Sequence, residues 1–291
     1  MKKALLIDAN SLIYRLYFAT EAIKNKNPKI DIKRQTIKLL YSICFSLVFN
    51  KEYDFKIAAF DSKEKLIRKQ AFENYKANRK PMPDDLVFIL PELKHIFELF
   101  GFVLLAKGGY EADDLIGSFS NEANKNDIYC TIYTSDKDLL QLITNKTDVD
   151  LFKKGISDTM KYDEQTFIND YGFKPNLIPD YKALAGDNSD NYHGVDGIGP
   201  KTAKELLQTY SEGIDAIYAH LDEIKSSIKS KLLEGKEACY LCKEIAVINV
   251  NLFNDRNLEA FKALPIQYET LESTVTALGF SAFYKYFDNK N

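Results

Sequence analysis

Two short stretches of the chain bring five acidic side chains together. Glu111, Asp113 and Asp114 fall within four residues and directly precede an apolar run with helical spacing, which places them in the first turn of a helix. The second stretch is a β-branched and aromatic run typical of a buried strand, and Asp136 and Asp138 follow its end. A helix and a strand arranged in this way leave their carboxylates at one edge, where they can bind cations.

Two explanations compete for these carboxylates. Acidic residues in a first helical turn satisfy free backbone N–H groups and the helix dipole, which contributes about 0.3–1 kcal/mol per residue. Capping does not explain the grouping, because like charges about 4 Å apart repel by ~4 kcal/mol per pair at an effective dielectric constant of about 20. Folding therefore requires cations among them, and an all-oxygen ligand set indicates Mg²⁺ or Mn²⁺ rather than Zn²⁺.

The predicted strands support a site of this kind. Three apolar strands run into an aspartate, namely Asp8, Asp61 and Asp136, and helical segments separate the strands. This alternation predicts a parallel sheet, whose ligands bind outside the carboxyl ends of the strands. A single aspartate at a strand end is common, but three that converge on the acidic helix favour a site.

The other elements follow from hydrophobic periodicity. Strands are predicted at 4–7, 55–60, 102–105 and 128–134, and helices at 11–22, 34–50 and 84–100. Pro91 lies inside the last of these helices, so a kink or a break is expected there. The chain is helical in pattern from residue 177 onward.

Residues 62–83 interrupt this alternation. They carry a local charge of +5, from seven basic and two acidic residues, and two aromatic side chains lie between them. The basic residues are Lys63, Lys65, Arg68, Lys69, Lys76, Arg79 and Lys80, and the aromatic residues are Phe72 and Tyr75. A solvated helical face is the usual meaning of such a run. Its position between two site strands favours a mobile phosphate-binding element whose aromatic side chains stack on bases.

A glycine-rich segment follows a predicted amphipathic helix that begins at residue 178. Asp187 and Asp190 come directly after that helix and are three residues apart, so both side chains can face one point. A hairpin at 194–203 then exposes backbone N–H groups before the next helix. These N–H groups can bind phosphates without contacting bases. The residues expected to hold phosphates are Gly197, Gly199, Lys201 and Thr202. A glycine-rich turn alone is more often a plain connection, but the two neighbouring aspartates disfavour that explanation.

The composition excludes other classes of protein. The chain has 291 residues, of which 45% are hydrophobic and 28% are charged, as in soluble globular proteins. Its longest apolar stretch, residues 43–49, is too short to cross a membrane. The N-terminal apolar run stops at Asp8, as a first strand does and a signal peptide does not. The four cysteines fall in apolar or helical patterns and show no disulfide framework, which predicts a reducing, cytoplasmic location.

The motifs, in this order and spacing, resemble those of the 5′ nuclease (flap endonuclease) family, most closely the N-terminal 5′→3′ exonuclease domain of bacterial DNA polymerase I. The resemblance extends from about Leu5 to about Phe280. Its strongest segments are Leu-Ile-Asp-Ala-Asn-Ser at 6–11, Phe-Asp at 60–61, Tyr-Lys-Ala-Asn-Arg-Lys-Pro-Met-Pro at 75–83, Gly-Tyr-Glu-Ala-Asp-Asp at 109–114, Ser-Asp-Lys-Asp at 135–138, Gly-Asp-Asn-Ser-Asp-Asn at 186–191 and Gly-Ile-Gly-Pro-Lys-Thr-Ala at 197–203.

The resemblance implies a set of metal ligands, and every position of the family's set is filled here. The ligands are Asp8, Asp61, Glu111, Asp113, Asp114, Asp136, Asp138, Asp187 and Asp190. The net charge of −3 disfavours nucleic-acid binding when taken alone. With these nine set aside, however, the 39 Lys and Arg residues exceed the remaining acids by six.

The resemblance also implies the architecture. It predicts an α/β fold in which a central, mostly parallel sheet with flanking helices forms a PIN-like nuclease core over residues 1–176. Residues 62–83 correspond to a basic helical arch, with Lys76 and Arg79 aimed at the scissile phosphate and Arg68, Tyr75 and Lys80 on DNA. Residues 177–291 correspond to a helical DNA-binding region, and 187–207 to a helix–three-turn–helix that grips duplex backbone with a K⁺ ion at hairpin carbonyls.

The sequence departs from the family at three points. Asn191-Tyr-His-Gly stands where Asn-Ile/Leu-Pro-Gly is usual, and Ser135 replaces a glycine before Asp136. Neither change removes a ligand. No polymerase or proofreading segment follows in the sequence, so a stand-alone enzyme is expected.

The implied activity is that of a 5′→3′ exonuclease and 5′-flap endonuclease in replication and repair, which hydrolyses phosphodiesters with two Mg²⁺ or Mn²⁺ ions. The expected partners are duplex DNA with a 5′ flap or nick and RNA primer–DNA hybrids, with a separate polymerase and ligase acting on the products. A monomer without membrane attachment is expected. Two alternatives stay open: a PIN-like ribonuclease, and a branched-DNA binder whose carboxylates serve only the structure.

Overall fold

The computed structural model describes residues 1–49, 51–62, 64–153, 158–254 and 256–287. One six-stranded sheet forms its centre. The strands are β1 (Lys2–Asp8), β2 (Phe55–Ala59), β3 (Val103–Leu105), β4 (Ile128–Thr134), β5 (Thr147–Phe152) and β6 (Thr159–Tyr162). Their order across the sheet is β3-β2-β1-β4-β5-β6, and every neighbouring pair is parallel except β5 and β6. The predicted mostly parallel α/β sheet is therefore confirmed.

Helices cover the sheet and continue into the C-terminal part of the chain. The α-helices are α1 (Ala9–Lys26), α2 (Ile32–Val48), α3 (Arg68–Ala71), α4 (Asp84–Leu99), α5 (Ala112–Lys125), α6 (Glu164–Tyr171), α7 (Ile178–Ala185), α8 (Pro200–Thr209), α9 (Ile214–Ala219), α10 (Ser226–Glu234), α11 (Lys236–Ala246) and α12 (Tyr268–Ala277). Short 3₁₀ helices span Lys137–Leu142, Pro175–Leu177, Leu221–Glu223, Leu258–Phe261 and Ser281–Tyr286.

The two faces of the sheet bury two separate apolar cores. Side chains of a strand point alternately to opposite faces, so Leu5 and Ile7 of β1 pack against α1, α2 and α4. Ala4 and Leu6 of the same strand face the other way, towards α5 and the C-terminal helices α7, α8 and α11. A strand that is apolar on both faces belongs at the centre of a parallel sheet, and β1 lies between β2 and β4.

This strand order determines where the acidic edge forms. β1 pairs with β2 on one side and β4 on the other, all in parallel, so the three carboxyl ends are adjacent. Asp8 is the last residue of β1, while Asp61 and Asp136 lie two residues beyond the ends of β2 and β4. The three aspartates therefore meet at one edge, as the sequence predicts.

Three elements differ from the predicted pattern. The helix α4 continues through Pro91, and no break occurs. The proline removes the hydrogen bond to the carbonyl of Val87, but both residues are exposed, so water can satisfy that carbonyl. The antiparallel pair of β5 and β6 was not predicted. In the region expected to be a helical arch, the described residues, 62 and 64–83, form only the four-residue helix α3, turns and irregular backbone.

The last part of the chain returns to the nuclease core. Phe280 and Phe283 pack with Tyr41 of α2, with ring centroids 6.3 and 6.2 Å apart. Leu271 and Val275 of α12 are fully buried in the same core. Residues 268–287 are thus separated from the other C-terminal helices, which lie on the opposite face of the sheet.

The cysteines are free and buried. Cys239 and Cys242 belong to α11, and both side chains pack in the core, in line with their predicted helical pattern. Within the described ranges, no helix combines the length and the apolar character needed to cross a membrane.

We expect Gly186→Ala to destabilise the protein and displace Asp187. The backbone φ of Gly186 is +78°, and a Cβ atom there would lie 2.5 Å from the carbonyl oxygen of His193. Strain alone should lower the free energy of unfolding by about 1–3 kcal/mol. Urea denaturation measures this change.

The matched control is Gly199→Ala, because an added Cβ meets no atom within 4 Å there and φ is −92°. Its free energy of unfolding should change by less than about 1 kcal/mol. Equal losses in the two variants would contradict the steric explanation.

Candidate metal site

Asp8 and Asp61 are fixed in the site by hydrogen bonds from neutral groups. Asp8 caps α1, where its Oδ1 accepts from the backbone N–H of Ser11 at 3.0 Å, and its Oδ2 accepts from the Thr134 hydroxyl at 2.8 Å. Asp61 accepts from Asn10 Nδ2 and from the backbone N–H of Ala112, both at 2.9 Å. These bonds hold the two carboxylates in position without neutralising their charge.

The first turn of α5 both caps the helix and supplies carboxylates to the acidic edge, the two explanations considered from the sequence. Glu111 is the N-cap residue, and it forms a reciprocal capping box with Asp114. The backbone N–H of Glu111 donates to Asp114 Oδ2 at 3.2 Å. Asp113 lies between them and faces Asp136, Asp8 and Glu111. Capping and assembly of the acidic site are therefore the same local structure.

The burial of like charges shifts the ionisation of this group. Burial, followed by the charges of Asp61 and Asp136, raises the pKa of Asp8 from 3.8 to about 7. Burial and the charge of Asp136 also raise the pKa of Asp113 well above its ordinary value, and burial raises that of Asp61. This carboxylate edge is electrostatically unfavourable unless protons or cations occupy it.

Side chains from residues 64–83 supply part of the missing positive charge. Arg68 binds Glu111 Oε2 at 2.8 Å and Asp114 Oδ1 at 2.7 Å, and it also donates to the backbone carbonyls of Ile245 and Val247, both at 3.0 Å. Lys76 forms an ion pair with Glu111. Arg68 and Lys76 thus supply part of the positive charge that the grouped carboxylates require.

The same segment is attached to the turn that follows α7. The Lys76 N–H donates to the Asp190 carbonyl at 3.1 Å, and Arg79 binds the Asp190 carboxylate at 2.8 Å. Asn78 Nδ2 donates to the carbonyl of Asn188 at 2.9 Å. The basic segment therefore lies across the site and joins its two ligand groups.

A second carboxylate group lies beside the first. Asp138, Asp187 and Asp190 each place an oxygen within 4.8 Å of the others, which fits the all-oxygen ligand set that Mg²⁺ or Mn²⁺ prefers. Lys182 of α7 forms ion pairs with both Asp138 and Asp187, and its side chain is only 12% exposed. Sequence reasoning missed Lys182, although a lone basic residue on an apolar helix, just before Asp187, was a signal.

The candidate DNA contacts fall into buried and exposed groups. Arg68 is occupied by protein partners, and Tyr75 is 3% exposed, with its hydroxyl 3.0 Å from Glu111 Oε2. As placed, Tyr75 does not reach the surface, and the Arg68 side chain, which is 14% exposed, is engaged by its protein partners. Lys80 is exposed, and Lys201 in the first turn of α8 is 90% exposed.

The glycine hairpin is accessible at its tip. Gly197 and Gly199 are exposed, and Thr202 is partly exposed. Gly197 has a φ of +74°, a conformation that favours glycine, and Pro200 begins α8 directly after Gly199. The predicted hairpin therefore leads into a helix N-terminus that faces solvent.

Comparison with known proteins identifies the class of this fold and site. Residues 3–172 match the family model of the 5′-3′ exonuclease N-terminal resolvase-like domain, and residues 173–269 match that of the 5′-3′ exonuclease C-terminal SAM fold. The chain is 38% identical over 276 residues to a 5′-3′ exonuclease of Mycoplasma genitalium, covering 93% of this chain and 94% of that protein. The chain belongs to the 5′-3′ exonuclease family, and its class is that of the metal-dependent nucleases.

Other relatives extend this assignment. The chain is 36% identical over 285 residues to DNA polymerase I of Caldicellulosiruptor bescii, which covers 97% of this chain and 33% of the polymerase. Its fold is similar to the bacteriophage T5 D15 flap endonuclease in a complex with DNA and metal ions, with a TM-score of 0.63, 19% identity and coverage of 87% and 90%. The catalytic core of Rad2 with DNA substrate gives a TM-score of 0.60 at 14% identity, with coverage of 95% and 87%.

We expect the metal-free protein to lose stability as the pH rises. The folded-state pKa values of Asp8 and Asp138 are both raised to about 7, chiefly by burial, whereas unfolded aspartates ionise near 3.8. The folded state then binds more protons, so the free energy of unfolding in chelator should fall between about pH 5 and pH 7.5. Asp8→Asn should reduce this slope. Stability that stays level or rises in chelator would contradict the assignment.

We also expect Arg68 to be essential for stability. Arg68→Met leaves Asp114 buried without its cation and leaves Glu111 with Lys76 alone, which should lower the free energy of unfolding by about 3–5 kcal/mol. Urea denaturation in chelator measures the loss. Lys201→Met is the control, because its pair with Glu205 spans 3.9 Å in solvent and should contribute less than about 1 kcal/mol.

Proposed function

We propose that this protein is a 5′→3′ exonuclease and 5′-flap endonuclease that acts on DNA, and on RNA primers paired with DNA, during replication and repair. The observation that carries the proposal is the pair of carboxylate groups at one sheet edge, crossed by a basic segment and followed by an exposed glycine hairpin. Each of the three parts has a separate role in cleaving a phosphodiester near a duplex end.

The carboxylates are proposed to hold two divalent ions. Asp8, Asp61, Glu111, Asp113 and Asp114 would hold or orient the first, and Asp136, Asp138, Asp187 and Asp190 the second. The raised pKa values of Asp8 and Asp138 support this, because divalent cations relieve the repulsion that burial causes. When bound, two such ions activate a water molecule and stabilise the attacking and leaving oxygens. Mg²⁺ and Mn²⁺ both suit the oxygen donors.

Lys76 and Arg79 are proposed to stabilise the scissile phosphate. Both now pair with carboxylates of the site, Lys76 with Glu111 and Arg79 with Asp190. Positive groups positioned in advance can stabilise developing negative charge with little reorganisation. When DNA enters, Lys76 and Arg79 would leave these carboxylates and pair with phosphate. DNA entry would then be coupled to assembly of the active site. Lys80 extends this positive surface to solvent.

Duplex binding is assigned to the hairpin and the start of α8. Gly197, Gly199, Lys201 and Thr202 surround an accessible helix N-terminus, which favours phosphate without reading bases. This supports a division into a core at 1–176 and a DNA-binding part at 177–291, with residues 268–287 packed on the core. A K⁺ ion at the hairpin carbonyls stays a prediction, and the carbonyl of Gly197 accepts from Lys231 at 3.0 Å. A cytoplasmic monomer that works with a separate polymerase and ligase completes the proposal.

The decisive experiment is single-turnover cleavage of a labelled 5′-flap DNA with Mg²⁺ and then with chelator. Cleavage should require the metal. Asp113→Asn should abolish cleavage but retain DNA binding in Ca²⁺. Lys76→Met should lower the cleavage rate by roughly 10²–10³, the effect of losing one group that stabilises the transition state, with a much smaller change in affinity.

The matched control for Lys76 is Lys2→Met, since Lys2 pairs with Glu259 at 3.7 Å on the opposite edge of the sheet. Its cleavage rate should equal that of the parent protein. Faster cleavage of a single-stranded RNA than of the DNA flap would favour the ribonuclease alternative. Tight flap binding without turnover would favour the non-catalytic binder.

A further inference from the structure

Tyr192 carries a buried polar atom without a partner. Tyr192 as a whole is 2% exposed, and its hydroxyl has no hydrogen-bond partner in the part of the chain that the structure describes. The backbone of Tyr192 pairs with Asp187 in both directions, at 2.8 and 3.1 Å. Leaving a buried hydroxyl unsatisfied is unfavourable, and such groups commonly mark an absent water or ion.

The surroundings of this hydroxyl are the second carboxylate group. Lys182, Asp138, Asp187 and Asp190 are the charges that act on it. Lys182 lies between Asp138 and Asp187 and pairs with both of them.

We propose that Lys182 and Tyr192 make the second carboxylate group a site of cation exchange. The Lys182 ammonium holds the place between Asp138 and Asp187 in the metal-free protein, and a divalent ion displaces it. The Tyr192 hydroxyl then donates to a water molecule that arrives with the ion. This inference rests on the proposed two-metal function and deepens it.

The charges explain why a divalent ion can displace the Lys182 ammonium and why the affinity for that ion is limited. Lys182 and Arg79 together compensate two of the three carboxylates, Asp138, Asp187 and Asp190. A divalent ion supplies more charge than the ammonium it replaces, but it must first break two ion pairs. In the first group, Glu111 and Asp114 are paired with Lys76 and Arg68, but in the described ranges no ion pair reaches Asp8, Asp61 or Asp113. The second ion should therefore bind more weakly than the first.

The test is Mn²⁺ binding to the full, DNA-free chain, followed by electron paramagnetic resonance of the free ion. The parent should bind two ions of unequal affinity. Lys182→Met should tighten the weaker site about tenfold or more, because it removes the competing charge. Lys182→Arg, which keeps that charge, should bind like the parent. Tyr192→Phe should weaken the same site by roughly fivefold, the effect of one lost hydrogen bond.

Thermal unfolding in chelator gives a second test, in which Lys182→Met and Tyr192→Phe should change the melting temperature in opposite directions. Lys182→Met should lower the melting temperature by leaving buried carboxylates unpaired, and Mn²⁺ should restore it. Tyr192→Phe should raise the melting temperature, because it removes an unsatisfied hydroxyl. Lys243→Met and Tyr218→Phe are the controls, since Lys243 pairs with Asp180 at 2.8 Å and Tyr218 donates to the Leu232 carbonyl at 3.0 Å, both outside the site. Neither should change Mn²⁺ affinity.

The outcomes separate this inference from the proposed function. Unchanged affinity of the weaker site in both Lys182→Met and Tyr192→Phe would overturn the exchange alone. A parent with a single Mn²⁺ site would overturn the exchange and the two-ion arrangement, while the flap assay would still decide whether the protein is a nuclease. A parent that binds no Mn²⁺ would overturn the proposed function itself.

Discussion

Repulsion among buried carboxylates is the constraint on which the rest of this structure depends. The parallel order of β2, β1 and β4 brings three strand ends together, and the first turn of α5 adds three more acids to the same edge. Water cannot screen these charges well, so the pKa of Asp8 rises to about 7. Every cation near the edge, whether a side chain or a metal ion, is stabilised by the same field.

The basic segment is organised by that field more than by its own helical propensity. Among its described residues only α3 is helical, and Arg68, Lys76 and Arg79 are positioned by ion pairs to the carboxylates. Lys76 even has a positive φ of +54°, a strained conformation that its pair and its backbone bond to Asp190 maintain. The segment is therefore held against the acidic edge by charge pairing.

The two halves of the chain meet at the site. The second carboxylate group combines Asp138 from the core with Asp187 and Asp190 from the turn after α7. Arg68 also binds backbone carbonyls at 245 and 247, which ties the basic segment to the end of α11. The basic segment, the acidic edge and the helical region are thereby linked through one set of contacts.

The sequence by itself determined four of the six strands, their parallel arrangement and the acidic edge, because hydrophobic periodicity and residue type are local signals. It also determined the family, because the motifs at 6–11, 109–114 and 186–191 keep their order and spacing. Only the tertiary structure decided which cations compensate the carboxylates. Arg68 lies far in sequence from Glu111 and Asp114, and Lys182 and Tyr192 lie far from Asp138. Of the groups around Lys182 and Tyr192, Asp187 and Asp190 are the ones nearby in the sequence. Ion pairing across such separations depends on packing, and no local pattern encodes it.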